Sequence, residues 1–156
     1  MRTADQWFSE YGESHQNSTN KAIHWVAVPL IYLTVVGLFW SIPQPGWMAS
    51  LPWLNWAIVA LIPTILFYMV MSFPLALALG MVALSLLCLG ACSWLERAGQ
   101  SVLWWSVGVF VVMWVFQFVG HHIEGKKPSF FKDLQFLLIG PAWVIGFLYR
   151  KLGIKY

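Results

Sequence analysis

Charged residues are scarce in this sequence, and long stretches have none. Only 10% of the 156 residues are Asp, Glu, Lys or Arg, against about 25% in an ordinary soluble domain. The ranges 22–95, 98–123 and 134–149 lack all four types, while 60% of all residues are hydrophobic. A water-soluble enzyme of this length could not bury so much apolar surface and is excluded, as are a disordered chain, a coiled coil and a collagen. The sequence predicts a single integral membrane domain over residues 1–156.

Cysteine is also rare. Cys88 and Cys92 are four residues apart inside an apolar run, so they would share one helix face. This spacing favours plain packing over a metal site or a structural disulfide. The net charge of +3 at pH 7 does not indicate nucleic-acid binding, because the basic residues lie at the ends of apolar segments, where lipid headgroups meet them.

Four apolar segments are long enough to cross a bilayer, which takes about 20 residues. They cover residues 22–42, 54–73, 75–95 and 102–120. The predicted fold class is therefore all-α: a multi-pass membrane helical bundle of four antiparallel spans.

The segment before the first span reads as a short amphipathic helix over residues 3–15. Thr3 and Gln6 fit a capping box. Trp7, Tyr11 and His15 follow at intervals of four and share one face. This pattern predicts an N-terminal interfacial helix that lies on the membrane.

A fifth apolar run, residues 134–149, contains Gly140 and Pro141 near its middle. Proline removes a helical hydrogen bond, which predicts a re-entrant or interfacial turn with its tip at these two residues. If the run turns back, eight basic residues lie on the side of the N-terminus and one on the other; if it crosses, the numbers are five and four. The positive-inside rule therefore favours turning back, with both termini cytoplasmic.

The four histidines, His15, His24, His121 and His122, all fall at one membrane face. Three further crossings bring the end of the fourth span back to the side where the first begins. Histidine is ordinary at a membrane boundary, but that does not explain why none of the four lies on the opposite face. Glu124 follows His121 by three residues and shares its helix face if the helix continues.

A shared site requires the chain to fold back between His15 and His24. On one straight helix these residues would lie about 13.5 Å apart along the axis and on opposite sides of it. Residues 17–20 are small and polar and favour a turn, so both imidazoles can face one point. Imidazole with carboxylate around open positions suits iron(II) oxygen chemistry, and imidazole alone also suits zinc.

Three motifs frame these residues: Tyr11-x3-His15-x4-Asn20-x3-His24-x4-Pro29, residues 117–128 (QFVGHHIEGKKP) and residues 133–141 (DLQFLLIGP). Together they cover nearly the whole chain, and the sequence resembles the Mpo-type membrane dioxygenase family, which is similar to an enzyme of phytosphingosine breakdown in fungi. The resemblance implies an iron(II)-dependent α-oxidation, in which a long-chain 2-hydroxy fatty acid and O2 give a fatty acid one carbon shorter.

The resemblance also implies a metal site. His15, His24 and His121 match the histidines of the family, and His122 and Glu124 compete for a further place. The cofactor expected there is Fe2+. An α-hydroxy carboxylate can chelate this ion through both oxygens beside three protein ligands, which leaves one position for O2.

Other polar residues near the histidines are candidates for catalysis or substrate binding. Tyr11 either hydrogen-bonds the bound oxygen or anchors the interface. Asn20 either supports a ligand or caps the first span. Lys21, Lys126 and Lys127 either hold the substrate carboxylate or contact lipid headgroups.

A membrane location suits a substrate with a long acyl tail. Each buried CH2 contributes about 0.8 kcal/mol, so such a tail would leave a soluble site slowly, whereas a site at headgroup level receives it laterally from membrane lipid. We expect the site on the cytoplasmic face of a bacterial inner membrane or an endoplasmic reticulum membrane.

Two other classes stay open on the sequence alone. One is a zinc or other metal-dependent enzyme that modifies lipids at the same site. The other is a small non-enzymatic membrane protein with a structural, transport or haem-binding role. The sequence does not indicate the oligomeric state.

Overall fold

The computed structural model describes residues 2–51, 53–71, 73–127 and 135–156, and these ranges contain seven helices and no strand. The helices are α1 (Ala4–Gly12), α2 (Ser18–Trp40), α3 (Gly46–Ala49), α4 (Trp56–Val70), α5 (Leu75–Arg97), α6 (Val102–Glu124) and α7 (Phe136–Lys151). The all-α prediction is confirmed for this part of the chain. Pro128, Lys132 and the start of the third motif at 133–134 lie outside the described residues.

Three helices, α2, α5 and α6, are long and apolar enough to cross a membrane, with 23 residues each. Each is about 34 Å long at 1.5 Å per residue, against a hydrocarbon core of about 30 Å. The predicted span at 54–73 is the shorter helix α4, whose 15 residues reach only about 22 Å. Asn55 caps its start by accepting a hydrogen bond from the amide of Ile58. The fourth crossing therefore stays a prediction.

Helix α4 nevertheless carries the chain back from the end of α2 toward the start of α5. Near its beginning, the indole of Trp56 donates to the carbonyl oxygen of Pro43 at 3.1 Å. Near its end, the hydroxyl of Tyr68 donates to the carbonyl oxygen of Leu138 at 2.6 Å. This return places the beginnings of α2 and α5 and the end of α6 at one end of the molecule.

The most extensive helix pairing is between α2 and α6. Two glycines allow it: Gly37 lies directly against Ser106, and Gly120 lies directly against Asn20, so a methyl group at either glycine would collide. Close approach through small residues is the usual way for membrane helices to pack. It holds the start of α2 against the end of α6.

Helix α1 begins with the predicted capping box between Thr3 and Gln6. Its apolar face is buried against protein, and the prediction that this face meets the membrane is corrected here. Trp7 packs edge-on against Phe136 at 5.8 Å between ring centroids, and Tyr11 lies 5.4 Å from Trp143. Helix α1 is thus fixed to α7.

Helix α7 continues through Gly140 and Pro141, so the prediction of a turn with its tip there is wrong. The proline costs one backbone hydrogen bond, but Pro141 is buried and Gly140 packs closely under the ring of Tyr11. Tertiary packing offsets the loss. Cys88 and Cys92 are free and buried, as the packing interpretation predicts.

Candidate metal centre

The segment between α1 and α2 reverses the chain and points His15 back at α2. Helix α1 ends at Gly12, and Asn17 caps α2 by accepting hydrogen bonds from the amides of Thr19 and Asn20 at 2.8 and 3.3 Å. The break thus covers residues 13–17, slightly before the predicted 17–20. The ring centroids of His15 and His24 lie 4.2 Å apart, which confirms the predicted fold-back.

His121, near the end of α6, completes a group of three, which we call the histidine trio (His15, His24 and His121). Its ring centroid lies 5.1 Å from that of His15 and 4.8 Å from that of His24. One ring nitrogen from each residue lies within 4.8 Å of the other two. All three side chains are buried, with at most 5% of their surface exposed.

Backbone carbonyls fix the tautomers of two members of the trio. Nδ1 of His15 lies 2.6 Å from the carbonyl oxygen of Tyr11, and Nδ1 of His24 lies 2.9 Å from that of Asn20. Because a carbonyl only accepts hydrogen bonds, each Nδ1 must carry the proton, and each Nε2 keeps its lone pair. Metal-bound histidines are oriented in the same way in known metal sites.

The Nε2 atoms of the trio lie close together. Nε2 of His24 lies 3.2 Å from Nε2 of His121. Nε2 of His15 is buried and has no hydrogen-bond partner among the described residues. Nδ1 of His121 is likewise buried without a partner among these residues. A buried polar atom without a partner is costly, and a cation held by the trio would satisfy Nε2 of His15.

The protonation state of His15 also fits a metal ligand. Burial lowers its pKa to about 4, so the imidazole is neutral at physiological pH. Neutral imidazoles bind iron(II) and zinc alike. The residues present therefore fit a divalent transition metal and do not choose between these two.

Glu124, the last residue of α6, holds the connecting segment in place. Its carboxylate accepts hydrogen bonds from the amides of Gln16 and Asn17, both at 2.8 Å, and from Nδ2 of Asn20 at 3.1 Å. Asn20 is fully buried and also donates to the carbonyl oxygen of Ser14 at 3.1 Å. Asn20 thus contacts the backbone just before His15, and Glu124 contacts the backbone just after it.

His122 and the three candidate lysines lie at the same end of the molecule as the trio but outside it. The side chain of His122 is exposed, as are those of Lys126 and Lys127, while Lys21 is half-buried. Nζ of Lys126 donates to the carbonyl oxygen of Glu13 at 2.7 Å, beside the connecting segment. The predicted roles of these four residues in metal or substrate binding stay predictions.

Tyr11 lies beside the trio. Its ring stacks on His15 with centroids 4.3 Å apart and planes at 13°. Burial raises the pKa of its phenol, which therefore stays protonated and can donate a hydrogen bond.

A cavity of about 640 Å³ opens from the trio into the helix bundle. It is lined mostly by apolar side chains of α2, α4 and α7, with Tyr11 and Gln117 near the histidines. Gln117 is a residue that the sequence reasoning did not single out for a role. The available signal was its position four residues before His121, which puts a polar group on the same face of an otherwise apolar helix.

The variant Glu124→Ala tests whether this carboxylate holds the segment that carries His15 in place. In Glu124→Ala the amides of Gln16 and Asn17 lose their acceptor, so His15 should be held less firmly. We expect metal affinity to fall about 10–100-fold, as for other residues that support metal ligands. Titration of metal-free protein with Fe(II) under anaerobic conditions measures this.

The matched control for this variant is Glu10→Ala. Glu10 is partly exposed and pairs with Arg2 at the surface, at 2.8 Å, and such a pair contributes little. Equal metal affinity in Glu124→Ala and Glu10→Ala would show that the hydrogen bonds of Glu124 are not needed to position His15 for metal binding.

Comparison with known proteins identifies a family for the whole chain. The family described as 2-hydroxy-palmitic acid dioxygenase Mpo1-like matches residues 1–152. Neither the curated proteins nor the solved structures give a match. Since the family match includes all three histidines and every described helix, this protein belongs to the Mpo1-like family.

Proposed function

We propose that this protein is an iron(II)-dependent dioxygenase that converts 2-hydroxy fatty acids into fatty acids one carbon shorter. The observation that carries the proposal is the convergence of three buried imidazoles at the head of a long apolar cavity. The printed description of the family, a dioxygenase of 2-hydroxy-palmitic acid, supports the same class of reaction.

His15, His24 and His121 would hold the metal. A ferrous ion bound there supplies the redox centre at which O2 reacts with the 2-hydroxy acid. Three protein ligands leave room for a substrate that binds through its hydroxyl and carboxylate together. The fixed tautomers of His15 and His24 present their Nε2 lone pairs without rearrangement.

Other residues near the trio would position the substrate and exclude water. The protonated hydroxyl of Tyr11 is a donor beside His15, where it can bond an oxygen of the substrate head. The apolar lining keeps water from the reacting carbon. On the cytoplasmic surface, Lys21, Lys126 and Lys127 attract the carboxylate from the plane of the headgroups.

A zinc enzyme at the same site is the alternative that the donor set also allows. The haem-binding alternative has less support, because ring centroids only 4.2, 4.8 and 5.1 Å apart leave no slot for a porphyrin between any two rings.

Turnover by defined metal forms tests the proposal. Metal-free protein in lipid nanodiscs is loaded with Fe(II) or Zn(II), then given O2 and 2-hydroxypalmitate, and pentadecanoic acid is measured by mass spectrometry. We expect product from the iron form alone, and none from palmitate, which lacks the hydroxyl. Stoichiometric zinc binding with no product from the iron form would favour the zinc enzyme instead.

A further inference from the structure

The cavity runs along most of helix α2. The α2 residues that line it include His24, Val28, Ile31, Val35 and Phe39, which recur every three or four positions and form one face. His24 and Phe39 are 15 positions apart, which is about 22 Å along the helix. The cavity therefore extends from the histidine trio through most of the thickness of a bilayer.

Its far end lies where α2 finishes and α4 begins. Phe39 borders it on one side and Trp56 on the other, while Ala57 and Ala60 form the adjoining wall. The cavity is thus a channel with small side chains on part of its wall and two large aromatic side chains bordering its far end.

Free polar groups are concentrated at one end of this channel. In its middle, the hydroxyl of Tyr32 is already hydrogen-bonded to Ser85 at 2.8 Å, and that of Thr64 to the carbonyl oxygen of Ala60 at 3.0 Å. At the histidine end, Gln117 is only 6% exposed and lines the cavity, so its side-chain amide is a polar group that a ligand in the channel can meet beside the trio.

We propose that the channel holds one acyl chain, with its carboxylate end at Gln117 and the trio and its methyl end at Phe39 and Trp56, and that this far end sets the preferred chain length. The inference rests on the proposed function and extends it to a length limit. Carbon–carbon bonds of about 1.5 Å in a zigzag advance about 1.25 Å per carbon, so an extended chain of 16 carbons is about 19 Å long. That length fits the distance from the trio to the far wall.

Crosslinking tests the placement without any need for turnover. Metal-free protein receives a 16-carbon 2-hydroxy acid with a photoreactive diazirine at its terminal carbon, and labelled peptides are identified by mass spectrometry. We expect labels near Phe39 and Trp56, and we expect excess 2-hydroxypalmitate to suppress them. Labels confined to the lipid-facing side of α5, such as Leu79 and Leu86, would overturn the proposal, as would labels that 2-hydroxypalmitate does not suppress.

Two variants test the length limit. Ala60→Phe narrows the channel part-way along, and we expect turnover of 2-hydroxypalmitate to fall about tenfold or more relative to the 12-carbon acid. Phe39→Ala opens the far end, and we expect preference to shift toward chains of 18 carbons or more. Ala83→Phe and Phe116→Ala are the matched controls, because both positions are exposed and do not line the cavity.

The outcomes separate the two proposals. Suppressible labelling at Phe39 and Trp56 without any shortened product supports the channel and counts against the proposed function. Turnover with the same length profile in Ala60→Phe, Phe39→Ala and their controls overturns the length limit and leaves the proposed function standing.

Discussion

His24→Ala and His121→Ala should each lose bound metal and lower turnover by more than about 100-fold, beyond the effect of losing a supporting residue. Each side chain supplies one of the three nitrogens that converge within 4.8 Å, and two remaining imidazoles hold a divalent ion poorly. His24 and His121 are fixed on helices that pack closely together. Among the described residues, no other His, Cys, Asp or Glu belongs to this group and could replace the lost ligand. Metal content and pentadecanoic acid formation, measured on the same preparations, report both losses.

The control for these variants is His122→Ala. His122 follows His121 directly on α6, but its side chain is exposed, because successive residues on a helix point about 100° apart. We expect His122→Ala to keep metal and most of the activity. Wild-type metal content and turnover in both His24→Ala and His121→Ala would show that the trio is not the active site.

Gly120→Ala should disrupt the site without removing any of its ligands. A methyl group at this position would meet the side chain of Asn20, which is fully buried. Either the side chain of Asn20 shifts and loses its hydrogen bonds to Ser14 and Glu124, or helices α2 and α6 separate at this point and His24 moves away from His121. Overpacking of this kind lowers the free energy of unfolding by about 1–3 kcal/mol. We expect a lower Tm in detergent and a loss of metal affinity of at least about tenfold, comparable to losing a supporting residue.

Substitutions at two further glycines distinguish an effect on helix packing from an effect on metal binding. Gly108 lies on the same helix with open space around it, so Gly108→Ala should lower neither quantity. Gly37→Ala meets Ser106 at the other end of the same helix pair and should lower Tm while leaving metal affinity unchanged. If Gly37→Ala and Gly120→Ala reduced metal affinity equally, the site would depend on overall stability and not on the local fit at Gly120.

The meeting of the three histidines followed from the sequence because it depends on few assumptions. Polar residues before His24 favour a turn, and the predicted even number of crossings returns His121 to the membrane face where His24 lies. Neither step needs to know which side chains pack together. The fold-back of His15 therefore came within a few residues of its observed position.

The partner of an apolar face could not be read from the sequence in the same way. An apolar face is equally apolar whether lipid or another helix covers it, so α1 was predicted on the membrane although Trp7 and Tyr11 pack against α7. Likewise, Pro141 was predicted to end a helix that tertiary packing carries through it.

The role of Glu124 depends on a contact across the chain. Its spacing from His121 correctly placed it beside the site, but its hydrogen bonds go to Gln16 and Asn17, more than 100 positions away in sequence. Local periodicity carries no information about such a partner. The cavity was missed for the same reason, since its walls come from five separate helices.

X-ray absorption spectroscopy of the iron-loaded protein tests most directly whether the trio holds the metal. Imidazole ligands give characteristic outer-shell scattering, from which the number of bound histidines is obtained. We expect three histidines in the wild type and two in any iron retained by His15→Ala. A wild-type spectrum without histidine scattering, or one that does not change in His15→Ala, would contradict the assignment of the metal to His15, His24 and His121.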